Sequence, residues 1–283
     1  MPTLLPRSLD GALGALADDP ALTVLAGGTD LMVDVNYGRR RPAGVLSLRR
    51  VGELRGWRVD RHEVVIGAGT TYTDLLDPGL ARLVPALAAA SRTVGSPQIR
   101  NTGTLGGNLG TASPAGDTLP VLFALGAQVE LASAAGGART VPVAELVIGP
   151  KLTSLAPGEL VTAVRVPVAA GPQEFVKVGV RNAMVIAIVS CALAVDRERR
   201  TVGCALGAVG PVPVRDPAVE DWVTARLDWD GGRLSHQSVA EGFGRRMAAA
   251  SRPIDDHRAP AAYRRHAVEV LTRRALERAW GSS

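Results

Sequence analysis

Cysteine is scarce in this 283-residue chain: only Cys191 and Cys204 occur. They are not spaced as a metal or redox motif. Iron–sulfur clusters are usually held by about four thiolates, so the chain is not expected to ligate one by itself. The four histidines, His62, His236, His257 and His266, are scattered, with no metal-ligand pair. Lysine is rarer still, only Lys151 and Lys177, so arginine carries the net charge of +5. A basic chain can bind nucleic acid, but aromatics are 4% of the residues and no stacking or zinc motif occurs. The expectation is therefore no nucleic acid partner. No apolar run approaches the ~18 residues of a membrane span. The N-terminus shows no basic, apolar and small-residue succession of a secretion signal, so the expected location is cytoplasmic. There is also no proton-transfer constellation and no activated nucleophile.

What is present is glycine in particular places. The stretch Gly95 to Pro120 holds six glycines, four threonines and a single carboxylate, Asp117. Its first half has neither helical nor strand periodicity, and it reads as backbone that turns sharply and comes close to a ligand. Thr102, Thr104, Asn108 and Thr111 are small donors. Backbone N–H groups in such a turn form a nest that suits an anion, most often a phosphate. A second turn, Gly27-Gly28, follows a short strand at Leu22 to Leu25, with Thr29 placed to cap a helical turn through Tyr37. A helix N-terminus there would also suit a phosphate. Gly67-Ala68-Gly69 begins like the dinucleotide fingerprint, but Tyr72 stands at the third glycine position and no acidic residue follows at the required distance. It is read as a packing turn.

The remaining pattern divides the chain. Leu9, Leu13 and Leu16 predict a helix capped by Ser8. Residues 57–67 and 127–146 predict two hairpins, and Val161, Val164 and Val166 a further strand. The segment 169–173 reads as a linker. Beyond it, FVKVGVR, VIAIVSCALAVD and TVGCALGAVG predict an antiparallel meander of three strands. Three helices follow, near Ala218–Arg226, Ser238–Ala250 and Pro260–Trp280. The last is expected to bury Tyr263, Ala267, Val270 and Leu271 and to expose its arginines. The expected class is α+β, with domains at 1–171 (subdomains about 1–56 and 57–171) and 172–283.

The motifs AGGTDL (26–31), IGAGTTYTDL (66–75), QIRNTGTLGGNLGTASPAGDTLP (98–120) and FVKVGVRNAMVIAIVS (175–190) occur in this order. With them the chain resembles the FAD-binding medium subunit of the molybdenum hydroxylases, the xanthine dehydrogenase and aerobic carbon monoxide dehydrogenase family. The resemblance implies a two-subdomain flavin fold of the vanillyl-alcohol-oxidase type, a small C-terminal domain of the carbon monoxide dehydrogenase flavoprotein type, and FAD as cofactor. It implies that Leu25, Ala26, Gly27, Gly28, Thr29, Asp30, Leu31 and Met32 hold the pyrophosphate from one side. Thr102, Thr104, Gly106, Gly107 and Asn108 would enclose it from the other. Asp117 would accept from sugar hydroxyls or, alternatively, cap the helix that follows. Val94, Val161 and Lys177 would lie near the flavin or its mouth. A lysine on an apolar strand must in any case find a partner or snorkel.

The implied partners are an iron–sulfur small subunit with two [2Fe–2S] clusters, a molybdopterin large subunit, and NAD, oxygen or another carrier as electron acceptor. Asn182, Ala183 and Met184 replace acidic residues that some members carry after the arginine matching Arg181, which leaves the acceptor open. The IDDHRAPAAYRRHAVEVL run slightly favours the purine branch over the carbon monoxide branch. A self-sufficient FAD oxidase is the competing reading. Such enzymes often carry a His or Cys bonded to the flavin, and here only His62 lies near the flavin stretches, on a hairpin.

Overall fold

The computed structural model describes residues 2–232, 234 and 236–281. The first unit comprises β1 (Thr3–Leu4), α1 (Leu9–Asp18), β2 (Thr23–Leu25), α2 (Leu31–Asn36) and β3 (Val45–Ser47). Its strands form a parallel sheet in the order β1-β3-β2. The Ser8 hydroxyl accepts from the Gly11 N–H and starts α1, whose Ala12, Leu13 and Leu16 are buried. They pack with Leu22, Leu46 and Leu54.

The second unit continues with β4 (Trp57–Asp60), β5 (Glu63–Gly67), α3 (Pro78–Leu83), α4 (Pro85–Thr93), α5 (Pro97–Arg100), α6 (Leu105–Thr111) and α7 (Thr118–Ala124). It closes with β6 (Gln128–Ser133), β7 (Gly137–Pro142), α8 (Val143–Leu146), β8 (Val147–Gly149), β9 (Leu152–Thr153) and β10 (Leu160–Pro167). Five strands pair antiparallel in the order β4-β5-β10-β6-β7. Leu105, Leu109, Leu119 and Leu122 cover one face of this sheet, against Val64, Ile66, Val129 and Val164. The Gly67-Ala68-Gly69 turn is a packing turn, as expected. A side chain on Gly67 would lie 2.4 Å from the Leu54 carbonyl oxygen.

The third unit holds β11 (Gln173–Val178), β12 (Val189–Asp196), β13 (Thr201–Gly207) and β14 (Val214–Arg215), then α9 (Pro217–Thr224), α10 (Gln237–Ala250) and α11 (Ala261–Trp280). Its sheet is an antiparallel meander in chain order. Every residue of β12 is buried because both of its faces are covered. Cys191, Leu193 and Val195 pack with Phe243, Met247, Val268 and Leu276 of α10 and α11. On the other face Ala192 and Ala194 join the core of the second unit. Small residues allow this close approach. Gly203 has its α-carbon against the end of α7, where a Cβ would lie 2.0 Å from the Ala124 carbonyl oxygen.

Several expectations are corrected. The part of the stretch 95–120 without periodicity forms two short helices, α5 and α6, because Ser96 and Thr104 each cap one through the side chain and Pro97 opens the first. Thr29 does not cap α2; the N-cap is Asp30, with no side-chain bond. The strand expected over 185–196 begins only at Val189, and the C-terminal sheet has four strands, since Val214 pairs with Leu206 beyond Pro211 and Pro213. A two-residue strand leaves no periodicity to read. In α11 the buried face is rotated from the expected one: Tyr263 is 45% exposed and Arg264 is 1% exposed. The Arg264 guanidinium is accepted inside because it is fully bonded, donating to Asp256 Oδ1 at 2.7 Å, Ile188 O at 2.5 Å and Ala208 O at 2.9 Å.

Gly203→Ala should destabilise the chain by about 1–3 kcal/mol in urea denaturation, because the methyl overpacks against backbone. Gly14→Ala, where no atom lies within 4 Å of the added carbon in α1, should instead stabilise it by up to about 1 kcal/mol. Equal effects at both sites would contradict the packing described. Asp256 yields a pH prediction. Burial raises its carboxyl, but bonds from the Arg258 side chain and N–H, from Arg264 and from the Ala259 N–H outweigh this and hold it well below the usual carboxylate range. A depressed carboxylate stabilises the fold above its unfolded value and loses that contribution as pH falls through the folded one. The difference in Tm between wild type and Asp256→Asn should therefore be full at pH 7 and shrink steadily below about pH 4.

Candidate cofactor site

The two glycine-rich turns meet. Gly27 lies so close to Thr102, the second residue between α5 and α6, that a Cβ would fall 1.9 Å from the Thr102 carbonyl oxygen and 2.9 Å from the Gly103 α-carbon. Gly107, one turn into α6, faces Ala26, whose Cβ would be 3.6 Å from an added Cβ. Gly28 adopts φ +75, which glycine permits at no steric cost. The residues expected to grip a pyrophosphate from two sides are thus in direct contact across the two units.

Their roles differ from expectation. The N–H groups of α6 are consumed inside the chain: Leu105 donates to Thr70 O, Gly106 to Ala68 O at 2.8 Å, and Gly107 to the Thr104 hydroxyl at 3.0 Å. The central stretch is therefore no anion nest. Its glycines serve close packing, Gly106 against Ala68 and Gly107 beside Ala26. The Thr102 hydroxyl likewise donates back to Gln98 O. The first turn is the opposite case. Among the described residues nothing accepts from the N–H groups of Ala26, Gly27, Gly28, Thr29 and Asp30, all in or flanking one turn that is half-buried up to Thr29. Five successive donors leading into α2, between Leu25 and Leu31-Met32, make this turn the anion-ready element. The Asp30 carboxylate is offset by Lys151, which reaches Asp30 at 3.5 Å and Asp34 at 3.4 Å. Lys151 sits on the β8–β9 turn, more than a hundred residues away. Nothing local in the sequence marks it beyond its being one of two lysines.

Asn108 carries the site onward. Its Oδ1 accepts from the Thr118 hydroxyl at 2.6 Å, which ties α6 to the start of α7 beside Asp117. Asp117 does not cap α7 through its side chain. Instead its Oδ2 accepts from Lys177 Nζ at 2.6 Å and from the Thr93 hydroxyl at 3.1 Å. Both charged side chains are buried, 5% and 8% exposed. Lys177 also donates to Thr93 O at 3.4 Å, at the C-terminal end of α4, where a cation is favoured. The second oxygen, Asp117 Oδ1, is buried with no partner among the described residues. Burial pushes the Asp117 carboxyl up, and the Lys177 charge and bonds draw it back only in part. The Tyr72 phenol is pushed up by burial and then by the Asp117 charge. Tyr72 also bonds Gly103 O through its N–H, closing the circuit to the two turns. Val94 follows Thr93, half-buried, with its carbonyl held by Arg100 at 3.0 Å. Val161 is buried on β10, which packs against α6.

A flavin dinucleotide asks for donors to a pyrophosphate, acceptors for sugar hydroxyls and apolar walls. The free N–H run, the orphaned buried Asp117 oxygen, and Val94 and Val161 supply these three types of group. A cleft of about 740 Å³ lies elsewhere, lined by Arg61, Glu63, Arg165, Asp196 and Arg199, where most of the charges already pair with one another.

The comparisons agree with the fold and with these motifs. Residues 2–169 match the model of the FAD binding domain in molybdopterin dehydrogenase, and residues 174–279 that of the CO dehydrogenase flavoprotein C-terminal domain. The chain is 34% identical to the glyceraldehyde dehydrogenase medium chain of Sulfolobus acidocaldarius, over 96% of this chain and 95% of that one. It is 29% identical to the xanthine dehydrogenase FAD-binding subunit of Escherichia coli O157:H7, over 96% and 93%. The structure superposes on carbon monoxide dehydrogenase from Hydrogenophaga pseudoflava with a TM-score of 0.88 at 29% identity, covering 99% of this chain and 97% of that one. Fold and site thus define an FAD-carrying oxidoreductase subunit. The chain belongs to the FAD-binding medium subunits of the molybdenum hydroxylases.

Gly27→Ala should weaken FAD binding at least about tenfold, or about 1.4 kcal/mol, because the methyl forces the turns apart. Fluorescence titration of apoprotein with FAD measures it; unchanged affinity would remove this contact from the site.

Proposed function

We propose that this chain is the electron-transfer module of a molybdenum hydroxylase complex. It would take electrons from the [2Fe–2S] clusters of a small subunit and pass them to NAD, oxygen or another acceptor, while substrate is oxidised on a molybdopterin large subunit. Bound FAD supplies the redox chemistry, accepting electrons singly and releasing them in pairs. The protein's part is to hold and tune it. The N–H groups of Ala26 to Asp30 hold the pyrophosphate, with Lys151 shielding it from the Asp30 charge. Thr104, Gly106, Gly107 and Asn108 fix the opposite wall, and Gly107 leaves room beside Ala26. Asp117 Oδ1 accepts from a sugar hydroxyl. Lys177 would hold the Asp117 carboxylate in place for that contact through their buried ion pair. The observation that carries this reading is the run of five N–H groups, Ala26 to Asp30, that have no acceptor among the described residues. The domain division 1–171 and 172–283 and a cytoplasmic location belong to the same proposal. The second is supported by free cysteines and by the lack, among the described residues, of any helix long and apolar enough to cross a membrane.

The purine-type branch, slightly favoured by the sequence, has support from a xanthine dehydrogenase subunit at 29% identity. A carbon monoxide dehydrogenase medium chain stands at 30% and a glyceraldehyde dehydrogenase medium chain at 34%. These values do not separate the branches, and the proposal is kept at the level of the subunit's role.

The purified chain should bind one FAD per polypeptide and show a flavin spectrum that dithionite bleaches. Purines, aldehydes and carbon monoxide should not bleach it until the two partner subunits are added. Reduction by any of these substrates with the chain alone would overturn the electron-transfer role.

A further inference from the structure

Arg264 lies on α11, away from the two turns, yet it touches both chain segments that present the buried Lys177–Asp117 pair. Its Nη1 donates to Ile188 O and to Ala208 O. The Ile188 N–H donates to Val178 O at 2.8 Å, next to Lys177 on β11. The Ala208 N–H donates to Pro114 O at 2.8 Å, three residues before Asp117. One guanidinium nitrogen therefore stands where the backbone leading to Lys177 and the backbone leading to Asp117 converge. Asp256 Oδ1 accepts from Nη2 at 2.7 Å and orients the fork, and Arg258, bonded to the same carboxylate through Oδ2 at 2.6 Å, donates to Ala187 O at 3.5 Å.

A second observation points the same way. Ala208 has φ +63, the left-handed region, which costs a residue with a Cβ and persists only where its surroundings hold it. What holds it are these two bonds, from Arg264 to its carbonyl and from its N–H to Pro114. The strained residue is thus the joint between α11 and the loop that delivers Asp117. A hydrophobic side chain at 264 could fill the space, but it could not fix both carbonyls.

We infer that Arg264 is a positioning residue for the cofactor site, acting through the Lys177–Asp117 pair. The inference rests on the reading that this pair faces FAD. Arg264→Lys keeps the charge but not the planar fork that spans Asp256 and the two carbonyls. In the full chain this variant should melt cooperatively, bind FAD at least about tenfold more weakly, the size of one lost charge-assisted hydrogen bond, and show an altered visible circular dichroism of the bound flavin. The deciding readout is coupling: in a Lys177→Met background the same change should alter FAD affinity by less than about twofold, as expected when one residue acts through the other. If wild type binds FAD and Arg264→Lys matches it within about twofold, the inference fails alone. An equal loss in both backgrounds would also overturn it and leave a purely structural role. If wild type binds no FAD, the site reading fails with it. Should Arg264→Lys not fold, Asp256→Asn, which leaves Arg264 in place and removes its orienting charge, is put through the same cycle with the same two outcomes.

Discussion

An ammonium and a carboxylate 2.6 Å apart, both shielded from water, join the C-terminal sheet to the body that holds the glycine turns. Taking two charges out of water is costly, and such a pair persists only with good geometry and further bonds. Lys177 gains the end of α4, and Asp117 gains the Thr93 hydroxyl. The arrangement leaves one carboxylate oxygen buried and unbonded. A group left in that condition calls for a partner from outside the chain. The pair therefore fastens the third unit to the second. Small residues make the fastening possible: Gly203 against the end of α7 and Ala192 and Ala194 against the same core.

The same economy governs the turns. Gly27 is required because backbone meets backbone there, whereas a Cβ at Gly107 would crowd the Thr104 hydroxyl that caps α6. The two turns then divide the work: one spends its N–H groups on the fold, and the other keeps them free. The charged side chains at this place, Lys177 and Asp117, are spent on one another. That suits a subunit whose cofactor does the chemistry and whose polypeptide sets position and field.

Much of the fold was legible from pattern. The Ser8 cap and the Leu9, Leu13 and Leu16 spacing gave α1, and the run 185–196 gave the second strand of the meander, though neither its start at Val189 nor its burial on both faces. The contact of Gly27 with Thr102 matched the family motifs, which fix the two turns as a set. The helical content of 95–120 was hidden because glycine-rich segments lack periodicity and are helical here only under tertiary packing on Ala68 and Thr70. The face of α11 was misread because an arginine counts as exposed unless its partners are known, and the partners of Arg264 lie at 188, 208 and 256.

The sequence by itself determined which elements form, where glycine is obligatory and to which family the motifs belong, because these depend on local stereochemistry and short-range order. Tertiary structure alone decided which charges meet. Lys177 with Asp117 and Lys151 with Asp30 are pairs 60 and 121 residues apart. Which N–H groups are spent and which stay free was decided in the same way. Electrostatic and hydrogen-bond partnerships depend on distance in space, and no spacing along the chain encodes that distance.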